Sequence, residues 1–144
     1  MLELKSNNPN GYIMIEHTAK LENLEGFVEE VGRQAADAGL SAAEITRMEL
    51  CVEEVVVNII NYAYTENEGS LRMNCSKDSA EFVITIEDKG IPFNMLEKED
   101  PNVDAPADER EIGGLGVFLV KELMDEVIYS RENGVNTLVL KKHL

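Results

Sequence analysis

Basic residues are scarce: 13 Lys and Arg stand against 28 Asp and Glu, a formal net charge of −15 at pH 7. Such a surface repels phosphate backbones and anionic lipid, which argues against direct nucleic-acid or membrane binding and suits a protein partner with a basic face. Long apolar runs are missing too. No stretch approaches the roughly 20 residues of a membrane span, and the N-terminal MLELKSNNPN has no signal-peptide core. A cytoplasmic protein is expected. Cysteine is limited to Cys51 and Cys75; their segments differ and no metal spacing joins them, so both are expected as buried, reduced thiols. Neither GKS nor GKT occurs, and no glycine cluster has Walker or Rossmann spacing. The two histidines, His17 and His143, lie near the ends of the chain and far from the motifs below.

What is present is enough for a single domain over 1–144 with a real core. YIMIE (12–16) alternates as a first strand. Leu24, Phe27, Val28, Val31, Ala35 and Ala38 recur at helical spacing, with Gly39 as a stop. Ser41 and Glu44 form a capping-box pattern for a second helix that should run to about Tyr64. SLRMNCS and AEFVITIED alternate as strands, the second with Phe82, Ile84, Ile86 and Asp88 on one face. From Asn94 to Glu111 the pattern collapses into seven acids, two bases and two prolines, a loop long enough to be functional. GGLGVFLVKELMDE reads as a short helix entered through glycines. EVIYSRENGVNTLVLKK reads as a hairpin, with Asn133-Gly134 as its type I′ turn. The order β-α-α-β-β-loop-α-β-β predicts an α+β, two-layer sandwich with helices on one face of a mixed, mostly antiparallel sheet. Strand order does not follow from the pattern.

Three places carry chemistry-bearing residues. On the second helix, Glu54, Asn58 and Asn61 form one polar stripe bordered by aliphatic residues. A carboxylate there can serve as general base and an amide oxygen can ligate Mg²⁺, although such pairs also arise as plain helix-surface hydrogen bonds. In EDKGIPF (87–93), Asp88 ends a buried row, where an unpaired charge is costly. It would suit a donor such as an adenine amino group, with Gly90 allowing close approach and Phe93 in an apolar wall; strand-end Asp-x-Gly is also a common turn. In GGLG (113–116), backbone N–H groups at a helix entrance attract phosphate, or the glycines simply form a joint.

Helical E-x-x-x-N, strand-end D-x-G-x-P-F, an irregular segment and then G-G-L-G opening a helix, in that order, resemble the GHKL ATPase family. The Pro-Phe after Gly90, the MDEV after the last helix and the short length look most like its anti-sigma-factor serine kinases of the RsbW type. The resemblance spans about Tyr12 to Lys142. It implies a Bergerat ATP-binding fold with ATP and Mg²⁺ as cofactors. It assigns Glu54 as catalytic base, Asn58 as Mg²⁺ ligand, and Asp88 as the adenine-recognising carboxylate with Gly90 and Phe93 beside the ring. Gly113, Gly114, Leu115 and Gly116 would lie at the phosphates, residues 94–112 would form the ATP lid, and Thr137 would assist adenine recognition. Tyr62 stands where several relatives carry histidine. The implied function is serine phosphorylation of a STAS-type anti-anti-sigma partner by a protein that otherwise holds a sigma factor, and a homodimer is compatible with it. A non-catalytic ATP-binding switch is the alternative.

Overall fold

The structure, a computed structural model, describes residues 3–7, 13–65, 68–97 and 114–144. Six strands form one sheet in the order β1-β2-β3-β4-β6-β5. They are β1 (Glu3–Asn7), β2 (Ile13–Thr18), β3 (Ser70–Lys77), β4 (Glu81–Asp88), β5 (Glu126–Glu132) and β6 (Val135–His143). Every pairing among them is antiparallel, the limiting case of the mostly antiparallel sheet expected. Helices α1 (Leu24–Asp37), α2 (Ala42–Asn58) and α3 (Gly114–Leu123) supply the second layer.

Local chemistry sets the helix ends. At the end of α1, Gly39 takes a φ of +88°, its N–H bonds Ala36 O, and Leu40 N–H bonds Ala35 O. This is a Schellman closure, in which the left-handed residue costs least as glycine. Two residues on, Ser41 Oγ accepts from Glu44 N at 3.2 Å and Glu44 Oε1 accepts from Ser41 N at 3.1 Å, completing the capping box. The β5–β6 turn has positive φ at both Asn133 (52°) and Gly134 (78°), as a type I′ hairpin demands.

Alternation places the core. Leu71, Met73 and Cys75 of β3 and Phe82, Ile84 and Ile86 of β4 face the helices, meeting Phe27, Val31, Met48, Val52 and Val56. Each such side chain contributes about 1.5–3 kcal/mol by leaving water. Both cysteines are buried and free, and burial pushes each thiol up to about 12. Among the described residues no helix is long and apolar enough to cross a membrane.

Three elements differ from expectation. Strand β1 is an addition: its short, largely polar ELKSN carries too little apolar alternation to announce an edge strand. The α2 segment does reach Ala63, but its last five residues, Ile59–Ala63, form a π-helical turn. That wider turn breaks the polar stripe, so Asn61 is exposed whereas Asn58 is buried. Of the expected lid over 94–112, the described residues include only Asn94 to Glu97, where Met95 is buried within a short 3₁₀ turn (Met95–Glu97).

Candidate functional site

The π-helical turn presents an unspent carbonyl to the loop after β4. Ala63 O accepts from Ile91 N at 2.9 Å, and a Cβ on Gly90 would lie 2.3 Å from that same oxygen. Only glycine permits this approach. Tyr64 seals the outer side of the loop: its hydroxyl donates to Ser70 O and accepts from Lys89 N, each at 2.7 Å. The segment 89–91 is thereby clamped between α2 and β3.

Inside the clamp lies a cleft lined by Val55, Asn58, Asp88, Phe93, Met95 and Asn136, with Ile59, Ile86, Tyr129 and Leu138 around them. It is a cavity of about 20 Å³, room for about one water. Phe93 is held in its wall by a stacked contact with Tyr62, ring centroids 5.3 Å apart.

Two polar groups in this apolar space stand out. Asp88 is 5% exposed, and its Oδ1 accepts from Gly90 N and Asn136 Nδ2, both at 2.9 Å. Among the described residues, both of these bonds fall on Oδ1 and none on Oδ2. Burial pushes the Asp88 carboxyl pKa up; the Asn136 amide, the Gly90 N–H and the Arg131 charge pull the other way without cancelling it. Asn58 is 2% exposed. Its Nδ2 donates to Glu54 O at 2.7 Å, while its Oδ1 is buried without a partner among the described residues. An orphaned buried acceptor is costly unless something fills its coordination.

One turn back along α2, Glu54 meets the opening turn of α3. A Cβ on Gly116 would lie 2.0 Å from Glu54 Oε2, so the glycine is what lets the carboxylate sit against that helix. Burial pushes the Glu54 pKa up, and the neighbouring Glu53 charge adds to the shift.

The fold therefore brings Asn58, Asp88 and Phe93 to one cleft, and Glu54 to Gly116. Gly114 and Leu115 fall in the first turn of α3, and Gly113 lies outside the described residues. Thr137 is corrected. It pairs with Glu87 across β4–β6, one residue out of step with the buried Asn136 and Leu138, so it lies on the opposite sheet face. Asn136 holds the place beside Asp88. The sequence carried that signal, because Asn136, Leu138 and Leu140 share one alternation.

The family model described as the histidine kinase-like ATPase domain matches residues 17–142. The chain belongs to this family. A histidine kinase-like ATPase domain implies ATP binding. Curated relatives include the serine-protein kinase RsbW of Oceanobacillus iheyensis, 29% identical over 108 residues that cover 72% of this chain and 68% of the relative. The RsbW proteins of Bacillus cereus strain ATCC 10987 and Bacillus thuringiensis are each 26% identical over 107 residues, 72% of this chain and 67% of theirs.

Proposed function

We propose that this ATPase-family protein is a serine kinase of the anti-sigma type, transferring the γ-phosphoryl group of Mg-ATP to a serine of a small STAS-type partner and otherwise holding a sigma factor. The observation that carries the reading is Asn58. Its orphaned Oδ1 is buried in the same cleft as Asp88, one helical turn from a carboxylate that packs on the start of α3. An amide oxygen of this kind suits Mg²⁺, which takes few protein ligands and leaves its remaining positions to water and phosphate oxygens.

The residues divide the work. Asp88 Oδ2 accepts the adenine amino group, and Gly90 keeps the loop backbone close enough for the base to lie flat. Phe93 and Met95 wall the cleft, and a purine needs more room than its present volume of about 20 Å³. Asn58 Oδ1 would hold Mg²⁺, and the ion would supply charge neutralisation at the phosphates. Backbone N–H groups in the first turn of α3 would donate to the developing negative charge. Glu54 accepts the serine proton as its oxygen attacks. Its raised pKa brings it nearer the operating pH, which favours a general base.

The acidic surface supports a basic partner face, consistent with the −15 net charge. One observation favours a second reading, an ATP-binding switch without transfer: among the described residues no Lys or Arg lines the cleft to stabilise transferred phosphate. Incubation with γ-labelled ATP and a purified STAS-type protein separates the two. Label on the partner's serine, lost in Glu54→Gln with ATP binding intact, supports the kinase. Tight ATP binding with no label on any STAS-type partner leaves the switch. Asn58→Ala should abolish the Mg²⁺ dependence of nucleotide binding, and unchanged dependence would remove Asn58 as the ligand.

A further inference from the structure

We infer that a second cleft, on the outer side of the 89–91 loop, binds an acidic side chain presented by a protein partner, with Lys89 and Arg131 as its cations. This cleft lies outside the one at Asp88, and its assignment does not rest on ATP binding.

The residues that clamp the loop also shape this second space. Tyr64, Ser70, Lys89, Ile91, Pro92 and Arg131 all line it. Its volume is about 540 Å³, against about 20 Å³ for the cleft at Asp88. The lining is fixed in advance: the Tyr64 hydroxyl ties Ser70 O to Lys89 N, and Ala63 O holds Ile91 N. Little of it has to be ordered when a ligand arrives, which removes one of the usual costs of binding.

Its charge is opposite to that of the chain. With 28 acids to 13 bases, a cation here rarely lacks a carboxylate. Lys20, Arg33, Lys141 and Lys142 each lie within 4.0 Å of one. Lys89 is exposed, and among the described residues its Nζ meets none. Arg131 spends Nη1 on Gly90 O and Asn136 Oδ1, each at 3.0 Å, while its Nε and Nη2 carry no bond among the described residues. Its charge reaches the Asp88 carboxyl through space, but no ion pair forms. Glu68 lines the cleft too, and Lys20 already engages it at 2.8 Å. Two unpaired cations therefore share one cleft on an acidic protein.

A carboxylate is the ligand this chemistry selects. The guanidinium is anchored through Nη1, so its remaining N–H groups lie in a fixed plane that suits a carboxylate, and Lys89 adds a mobile point charge. Small-molecule sites are lined mostly by apolar and aromatic groups that bury most of the ligand. Here Thr65, Glu68, Ser70, Lys89 and Arg131 make the lining largely polar, so a free small molecule would stay half in water. A side chain carried by a larger body needs no such enclosure, because its neighbours find contacts outside the cleft. Ile91, 52% exposed beside the cations, offers one to an apolar residue next to the acid. The partner's basic face is drawn by the −15 net charge, and one acid in this cleft fixes its register.

NMR of the isotope-labelled full-length protein tests this with three probes at matched ionic strength: acetyl-Leu-Asp-Leu-amide, acetyl-Leu-Asn-Leu-amide and sodium acetate. The expected result is saturable shifts at Lys89, Ile91 and Arg131 with the Asp peptide, and at least about tenfold weaker binding of the other two probes. Lys89→Glu changes an exposed side chain with no partner, so its Tm should match the wild type while the Asp peptide binds at least about tenfold more weakly. Lys89→Gln removes the charge without reversing it and should show a smaller loss of the same sign. No shift at the three residues, or equal binding of the Asn peptide, overturns the proposal. Acetate binding as tightly as the Asp peptide reduces the cleft to a small-anion site and overturns the partner assignment. So does undiminished binding of the Asp peptide by both Lys89 variants.

Discussion

Replacing Gly116 by alanine should separate folding from chemistry. The introduced Cβ would lie 2.0 Å from Glu54 Oε2 and 2.8 Å from Cδ. Both atoms belong to the far end of a flexible side chain, so the carboxylate swings aside by about 1.5 Å to reach ordinary van der Waals contact. Folding barely registers this, because alanine in a helix is worth about 0.5–1 kcal/mol over glycine. Catalysis registers it strongly. A misplacement of about 1 Å costs on the order of 10² in rate, equivalent to about 2.7 kcal/mol of barrier. The expected outcome is an unchanged or slightly raised Tm, ATP affinity close to wild type and kcat down about a hundredfold. Thermal melts, calorimetry and initial rates of label transfer read the three quantities on one preparation. A kcat within about threefold of wild type would refute the reasoning, because Glu54 would then not need its place against α3. Gly90→Ala is the contrast: its Cβ meets the backbone oxygen of Ala63 at 2.3 Å, which cannot swing, so Tm and ATP affinity should fall together.

Burial raises the Glu54 pKa, so transfer should climb with pH through a midpoint above the ordinary carboxylate range. A rate–pH profile with its midpoint at the ordinary glutamate value would remove the desolvated base. Asp88 should make the ligand-free protein less stable near neutral pH. Its folded-state pKa is raised above the unfolded value, so stability present at low pH is lost as pH rises through the folded pKa. Asp88→Asn should therefore raise the apo Tm at pH 7 more than at pH 4, while weakening ATP; an equal shift at both pH values would refute it. Tyr64→Phe strands Ser70 O and Lys89 N and should cost about 1–3 kcal/mol in urea denaturation. A loss below about 0.5 kcal/mol would show that water replaces the hydroxyl.

Much of this architecture was legible because local chemistry decides it. The Ser41–Glu44 box, the Gly39 stop and the Asn133-Gly134 hairpin each occupy the backbone geometry their residues prefer. The row Phe82, Ile84, Ile86, Asp88 came straight from the period of a strand and led to the cleft. What stayed hidden depends on distant partners. The π-helical turn at Ile59–Ala63 makes sense only beside Ile91, 28 residues beyond Ala63 in the numbering, whose N–H takes the Ala63 carbonyl. Strand order is a matter of non-local pairing, and β1 is too short and polar to read. The Thr137 assignment missed by one residue, and in a strand one residue is a whole face. Had the alternation through Leu138 and Leu140 been followed back to the turn, Asn136 would have been the residue named.

Asp88 and the amide that orients it are 48 residues apart in the chain. On a ribosome adding about 5–20 residues per second, the carboxylate leaves the tunnel about 2–10 s before its partner. During that interval β4 has β3 on one side and nothing on the other, since its remaining edge is eight residues of pairing reserved for β6. The most apolar strand of the sheet thus waits with an open edge, the arrangement most exposed to wrong pairing with another chain. A nascent chain halted before the β5–β6 hairpin would carry Glu54, Asn58 and Asp88 and still lack the Asn136 amide that donates to Asp88. The arrangement around Asp88 is therefore complete only once β6 has been synthesised.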